Sequence, residues 1–151
     1  MRKSRAETNM EIAKIISQRG TCTRAKVGCV IVKDNRIIAT GYNGAPSGLP
    51  HCEDRIGGCI TDDTGSCITT VHAEAATIAF CARNGLSTDR STLYVTMSPC
   101  VNCAKLIINA GIEAVVFEKR YKNEDGIRLL QEAKIGAFMV DYKEKGLTRV
   151  W

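Results

Sequence analysis

The sequence predicts an α/β protein, a three-layer α/β/α sandwich built on one five-stranded mixed sheet. Three observations predict it. Two β-branched apolar runs separated by a short polar turn open the sheet as a hairpin. From residue 71 onward, segments of helical period alternate with short apolar runs, the pattern of strand–helix–strand crossovers and parallel strands. The chain has 151 residues, 44% hydrophobic and 25% charged, which suits a single domain over residues 1–151 with a buried core.

The elements follow in order. Ala6 to Arg19 places Met10, Ile12, Ala13, Ile15 and Ile16 at helical spacings, and Gly20 is positioned to stop the helix. Val27 to Lys33 and Arg36 to Tyr42 are extended runs joined through Asp34-Asn35. Residues 43–70 are rich in Gly, Asp, Thr and Cys without sustained periodicity, an insert that needs something to order it. Val71 to Asn84 is Ala-rich and helical, with Gly85 at its end. Thr92 to Met97 reads as a strand, and Ser98-Pro99 reads as an N-cap and first-turn proline for a helix that Gly111 terminates. Ala114 to Phe117 is a strand, Ile127 to Lys134 a helix, and Ala137 to Asp141 the last strand.

Charge and composition narrow the function. Twenty-one Lys and Arg against 16 Asp and Glu give a net charge of +5, which suits a phosphorylated small molecule but is too modest for a nucleic-acid binder. No apolar run is long enough to span a bilayer, and the N-terminus carries charges where a signal peptide has its apolar core. The expected location is the cytoplasm, where eight cysteines are kept reduced and metal ligation explains them better than disulfides.

His72-Ala73-Glu74 opens one expected helix and Pro99-Cys100-Val101-Asn102-Cys103 opens another. Cys100 and Cys103, three apart, present their sulfurs to one side and can grip a single ion, with His72 as the third ligand. Three protein ligands leave one zinc position for water, which separates a catalytic site from a closed structural one. Both helix starts also favour thiolate over thiol. Glu74 can take a proton from a water activated by the metal and pass it to a ring nitrogen, so that ammonia leaves an amidine-like carbon. A Cys-x-x-Cys alone fits a redox pair or half of a structural zinc site equally well, and Glu74 alone fits a first-turn carboxylate. Their ordered combination is the general signature of zinc-dependent nucleobase deaminases.

From about Thr21 to Tyr121 the sequence resembles the deoxycytidylate deaminase family of bacteria and phages, within the zinc-dependent cytidine/deoxycytidylate deaminase superfamily. The resemblance runs through CTRAKVGCVIV, ATGYNGAPSG, TVHAEAATIAF, LYVTMSPCVNCAKLIINAGI and FEKRYKN. It implies hydrolysis of dCMP to dUMP, feeding thymidylate synthesis, with His72, Cys100 and Cys103 on zinc and Glu74 relaying the proton. It further implies that Asn43 meets the sugar, the Ala73 backbone meets the base, and Tyr121 covers the ring. Arg120 and Lys122, flanking Tyr121, are expected to meet the phosphate, or else to sit on a solvated loop. By the same resemblance the enzyme is a homohexamer, with Arg83 and its helix face at subunit contacts, activated by dCTP with Mg2+ and inhibited by dTTP. Arg24, Lys26, Tyr42, Asn43 and Gly44 form the candidate effector site, since a Gly-rich loop lets backbone N–H groups approach phosphates; a plain turn is the competing reading.

Cys22, Cys52, Cys59 and Cys67 flank or occupy the irregular insert and form a candidate second, structural zinc site, with His51 as a substitute ligand; free surface thiols are the alternative. Cys29 and Cys81 fall on apolar faces and are expected to be buried as small hydrophobes. Two other functions fit the same motifs less well: a superfamily member acting on tRNA adenosine or free cytidine, and a non-catalytic module stapled by zinc.

Overall fold

The computed structural model describes residues 1–151. Helix α1 (Arg5–Ser17) is started by Ser4, whose hydroxyl accepts from the Glu7 N–H at 3.2 Å while the Glu7 carboxylate accepts from the Ser4 N–H at 2.8 Å. That reciprocal pair satisfies two of the N–H groups a helix start leaves open. The helix ends at a Gln18 cap, two residues before Gly20, which is a glycine for another reason: a Cβ there would lie 2.7 Å from Asn43 Oδ1.

Strands β1 (Gly28–Lys33) and β2 (Arg36–Tyr42) form the expected antiparallel hairpin, and Asp34 and Asn35 take φ of 49° and 60°, the conformation that a two-residue hairpin turn requires. The insert follows, with one 3-10 turn at Cys52–Asp54 and isolated bridges Gly44–Val71 and Thr61–Cys67. Helix α2 (Ala73–Arg83) leads to β3 (Thr92–Met97), α3 (Val101–Asn109), β4 (Ala114–Lys119), α4 (Asp125–Glu132) and β5 (Gly136–Asp141). Strands β3, β4 and β5 run parallel, and β1 joins β3 antiparallel.

The sheet has six strands, not five. The sixth, β6 (Gly146–Arg149), pairs antiparallel with β5, giving the order β2-β1-β3-β4-β5-β6. Its last three residues are exposed, so pairing to an open sheet edge recruits it and no apolar pattern announces it.

The period-2 alternation of the central strands divides the core. Cys29, Ile31, Leu93, Val95, Val115 and Phe117 point to the face covered by α2, α3 and α4; Val30, Tyr94 and Val116 point to the face covered by α1. Cys29 and Cys81 are both buried there as expected. Helix α1 sits tightly on the sheet because Gly28 has no side chain: a Cβ would fall 1.9 Å from the Ala13 carbonyl oxygen. No helix is long and apolar enough to cross a membrane.

Candidate functional site

The candidate site lies where α2 and α3 begin. His72 is the N-cap of α2 and Cys100 the N-cap of α3, and neither side chain caps its own helix. Both turn toward one point instead. His72 Nδ1 lies 3.5 Å from Cys100 Sγ and 3.4 Å from Cys103 Sγ, and the ligand atoms of all three lie within 4.8 Å of one another. Helix α3 therefore starts two residues later than the expected Ser98-Pro99 start. Ser98 instead ties the end of β3 to the end of β4, since its N–H donates to the Lys119 carbonyl at 2.8 Å and its hydroxyl accepts the Tyr121 N–H at 2.7 Å.

The electrostatics favour one thiolate and disfavour the two other anions beside it. The neighbouring Cys103 thiol, assisted by His72 and the helix N–H groups, holds the Cys100 thiol down to about 4; Cys103 is pushed up by the Cys100 thiolate and by its own burial. The imidazole of His72 is held more basic than usual, chiefly by its hydrogen bond to Cys100. Glu74 is only 4% exposed, and burial lifts its carboxyl above the ordinary carboxylate range. Two thiols and an imidazole converging on one point are a donor set that fits zinc.

A cavity of about 520 Å³ opens beside this cluster, and His72, Ala73, Glu74 and Cys100 line it. Asn43, Tyr121, Arg120 and Lys122 line it too, so all the residues expected to meet substrate face one space. Asn43 is already braced: its Oδ1 accepts the Val27 N–H and its Nδ2 donates to the Ala25 carbonyl, each at 2.8 Å. One Nδ2 hydrogen and one lone pair remain for a ligand. Arg120 is paired with Glu124 at 2.5 Å, whereas Arg24 and Lys122 make no ion pair. Of the five residues expected at an effector site, Arg24 and Asn43 line this cavity and Lys26, Tyr42 and Gly44 do not.

Sequence reasoning missed Thr64, Gly65 and Ser66, which also line the cavity. Asp62 organises them: its Oδ1 accepts the Thr64 N–H at 2.9 Å, the Thr64 hydroxyl at 2.6 Å and the Ser66 N–H at 3.0 Å. The Asp-Asp-Thr-Gly-Ser string is the turn signal that could have found them. The second thiol group also assembles, with Cys22, Cys59 and Cys67 close together and Cys67 3.6 Å from Cys52. His51 is not part of it, because its Nδ1 faces the Thr21 hydroxyl at 2.9 Å and the Ala45 N–H at 3.3 Å.

Helix α4 holds the Pro99-Cys100 turn in place by direct backbone packing. A Cβ on Gly126 would fall 2.1 Å from the Pro99 carbonyl oxygen and 2.9 Å from the Cys100 carbonyl carbon. Gly126→Ala is therefore expected to cost about 1–3 kcal/mol of stability by overpacking, and to lower turnover by shifting Cys100. Denaturant unfolding and ammonia release measured on the same preparation check both effects.

The fold and this cluster define a class. The chain belongs to the cytidine and deoxycytidylate deaminase family: the family's zinc-binding-region model matches residues 3–119. Among its relatives, the deoxycytidylate deaminase of Mycobacterium phage D29 is 45% identical over 116 residues, covering 72% of this chain and 89% of the relative. ComE operon protein 2 of Bacillus subtilis is 39% identical over 136 residues, covering 89% of this chain and 70% of the relative. The structure of dCMP deaminase from cyanophage S-TIM5, solved in complex with dCMP and dUMP, matches with a TM-score of 0.81 at 35% identity over 92% of this chain and 98% of that one.

Proposed function

We propose that the chain catalyses hydrolytic deamination of dCMP to dUMP and ammonia, supplying dUMP for thymidylate synthesis in the cytoplasm. The observation that carries the reading is the convergence of His72, Cys100 and Cys103 beside buried Glu74, at the wall of a cavity that also carries Arg24 and Lys122. His72, Cys100 and Cys103 would hold zinc. When bound, zinc supplies Lewis-acid activation of a water.

The chain's own groups do the rest. Glu74, whose burial lifts its carboxyl above the ordinary carboxylate range, accepts the proton of the attacking water and delivers it to the pyrimidine ring nitrogen beside the reacting carbon. The water oxygen bonds to that carbon; Glu74 then takes the remaining proton from that oxygen and passes it to the amino group, so that the carbon–amino bond breaks, ammonia leaves and a carbonyl remains. Asn43 offers its remaining hydrogen and lone pair to the sugar, the Ala73 backbone meets the base, and the Tyr121 ring packs on the pyrimidine face. Arg120, paired with Glu124, and Arg24 and Lys122, which make no ion pair, are the cavity cations available to the 5′-phosphate.

The reading extends to a single domain over residues 1–151, a homohexamer, and control by dCTP with Mg2+ as activator and dTTP as inhibitor. What supports those finer points is the family resemblance, with Lys26, Tyr42 and Gly44 left outside the cavity lining. Ammonia release from dCMP and from deoxycytidine, with and without each triphosphate, tests phosphate recognition and the control by triphosphates. We expect deoxycytidine to react with kcat/KM lower by at least about tenfold, since losing a charge-assisted phosphate contact costs roughly 1.5–3 kcal/mol. Equal kcat/KM for the two substrates would contradict phosphate recognition, and rates unchanged by saturating dTTP would remove the regulation.

A further inference from the structure

The chain between α1 and β1 folds around one side chain. Gly28 pairs with Tyr42 in the β1–β2 ladder, so Val27 and Asn43 stand opposite each other one residue further on. A hydrogen-bonded antiparallel pair exchanges two backbone hydrogen bonds. Here only one forms, from the Asn43 N–H to the Val27 carbonyl at 3.3 Å. The Val27 N–H donates instead to Asn43 Oδ1 at 2.8 Å, and the freed Asn43 carbonyl accepts the Thr21 N–H at 3.0 Å. Asn43 Nδ2 completes the set by donating to the Ala25 carbonyl at 2.8 Å.

Residues 21–27 contain no helix or strand, and both of their backbone–backbone hydrogen bonds end on Asn43. The loop is thus laced to one residue at Thr21, Ala25 and Val27. Arg24 stands beside the pinned Ala25, is exposed and forms no ion pair, so the path of its main chain decides where its guanidinium reaches. Asn43 itself is 6% exposed and is backed by Gly20. Gly20 has no positive φ; what excludes a side chain there is closeness, chiefly to Asn43 Oδ1 and the Ser17 carbonyl oxygen.

We propose that Asn43 is the positioning residue for Arg24, holding the loop that carries this cation to the substrate's 5′-phosphate. Both residues line the cavity. One amide then serves two parts of the nucleotide: the sugar directly, through its remaining hydrogen and lone pair, and the phosphate through the loop it laces. The chemistry calls for an amide. A carboxylate has no donor for the Ala25 carbonyl, and a single hydroxyl oxygen does not span Ala25 and Val27 as the two ends of an amide do. The phosphate half of the proposal rests on the dCMP reading; the lacing of residues 21–27 does not.

The test compares kcat/KM for dCMP with that for deoxycytidine in the full zinc-loaded chain and its variants. Truncating a residue that met only the sugar would slow both substrates by one factor. Arg24→Ala is expected to lower the ratio of dCMP to deoxycytidine by about fivefold. Asn43→Ala should lower the ratio by a similar factor, through KM for dCMP, and should lower it no further when added to Arg24→Ala. Gly20→Ala, which leaves every cavity-lining side chain in place, should lower the ratio as well, and it carries the test if Asn43→Ala does not fold. An unchanged ratio in Asn43→Ala and Gly20→Ala beside a lowered one in Arg24→Ala overturns the positioning role, and so does an unchanged ratio in Arg24→Ala itself. Amide hydrogen exchange at Val27 reads the lacing without any substrate. It should quicken by at least about tenfold in Asn43→Ala, and an unchanged rate overturns the lacing. Native protein that releases no ammonia from dCMP, with Val27 exchange quickened in the variant, leaves the lacing standing and overturns the deaminase reading instead.

Discussion

Glu74→Gln is expected to leave the protein folded and its zinc content unchanged while lowering ammonia release from dCMP by at least about 10²–10⁴-fold, the usual worth of a positioned general acid–base. Glutamine has the same shape, so the packing around a side chain that is 4% exposed is retained. Burial already disfavours the ionised carboxylate, so an uncharged amide costs the fold little. What the amide lacks is the ability to accept and return a proton. Turnover with saturating dCMP, metal content and thermal unfolding on one preparation separate these effects. An unchanged rate would remove Glu74 from the reaction, whereas loss of zinc would make it a structural support for the ligands.

The second large effect is expected for Cys103→Ser. Cys103 is 2% exposed, is the third residue of α3, and approaches His72 Nδ1 as closely as Cys100 does. Serine offers a harder and far less acidic donor at shorter reach, so zinc affinity is expected to fall by at least about a hundredfold, the upper end of what losing a mere supporting contact costs. Turnover falls with it. The effect differs from that of Glu74→Gln in one measurable respect: excess zinc partly restores the Cys103 variant and does nothing for the Glu74 variant. A Cys103→Ser protein that retains its metal and its rate would place the ion elsewhere.

Much of this site is legible in the sequence because its ligands sit at element boundaries that short-range chemistry marks. His72 and Cys100 stand where helical period begins, and the three-residue spacing to Cys103 needs no tertiary information. The central strands are equally plain, since Leu93, Val95, Val115 and Phe117 alternate with Tyr94 and Val116 between two covered faces. What escapes depends on contacts distant in sequence. Strand β6 has a single half-buried residue and exists because β5 offers an open edge. Ser98 has the local sequence of a cap, but its hydroxyl is taken by Tyr121, 23 residues away. Arg24 lies near a Gly-rich loop, which suggests an effector site; its place on the substrate cavity follows only from how the insert folds back. The Thr64–Ser66 turn is hidden in a stretch whose order comes from Asp62 hydrogen bonds and clustered thiols, neither of which produces a periodic pattern.

An open catalytic zinc position is tested most directly by an anomalous-scattering map at the zinc edge, from crystals of the full chain grown with zinc. The expected map has a peak bounded by His72 Nδ1 and the sulfurs of Cys100 and Cys103, with its fourth position open to the cavity beside Glu74. A fourth protein side chain closing that position, or a His72 ring turned away from the two sulfurs, would contradict it.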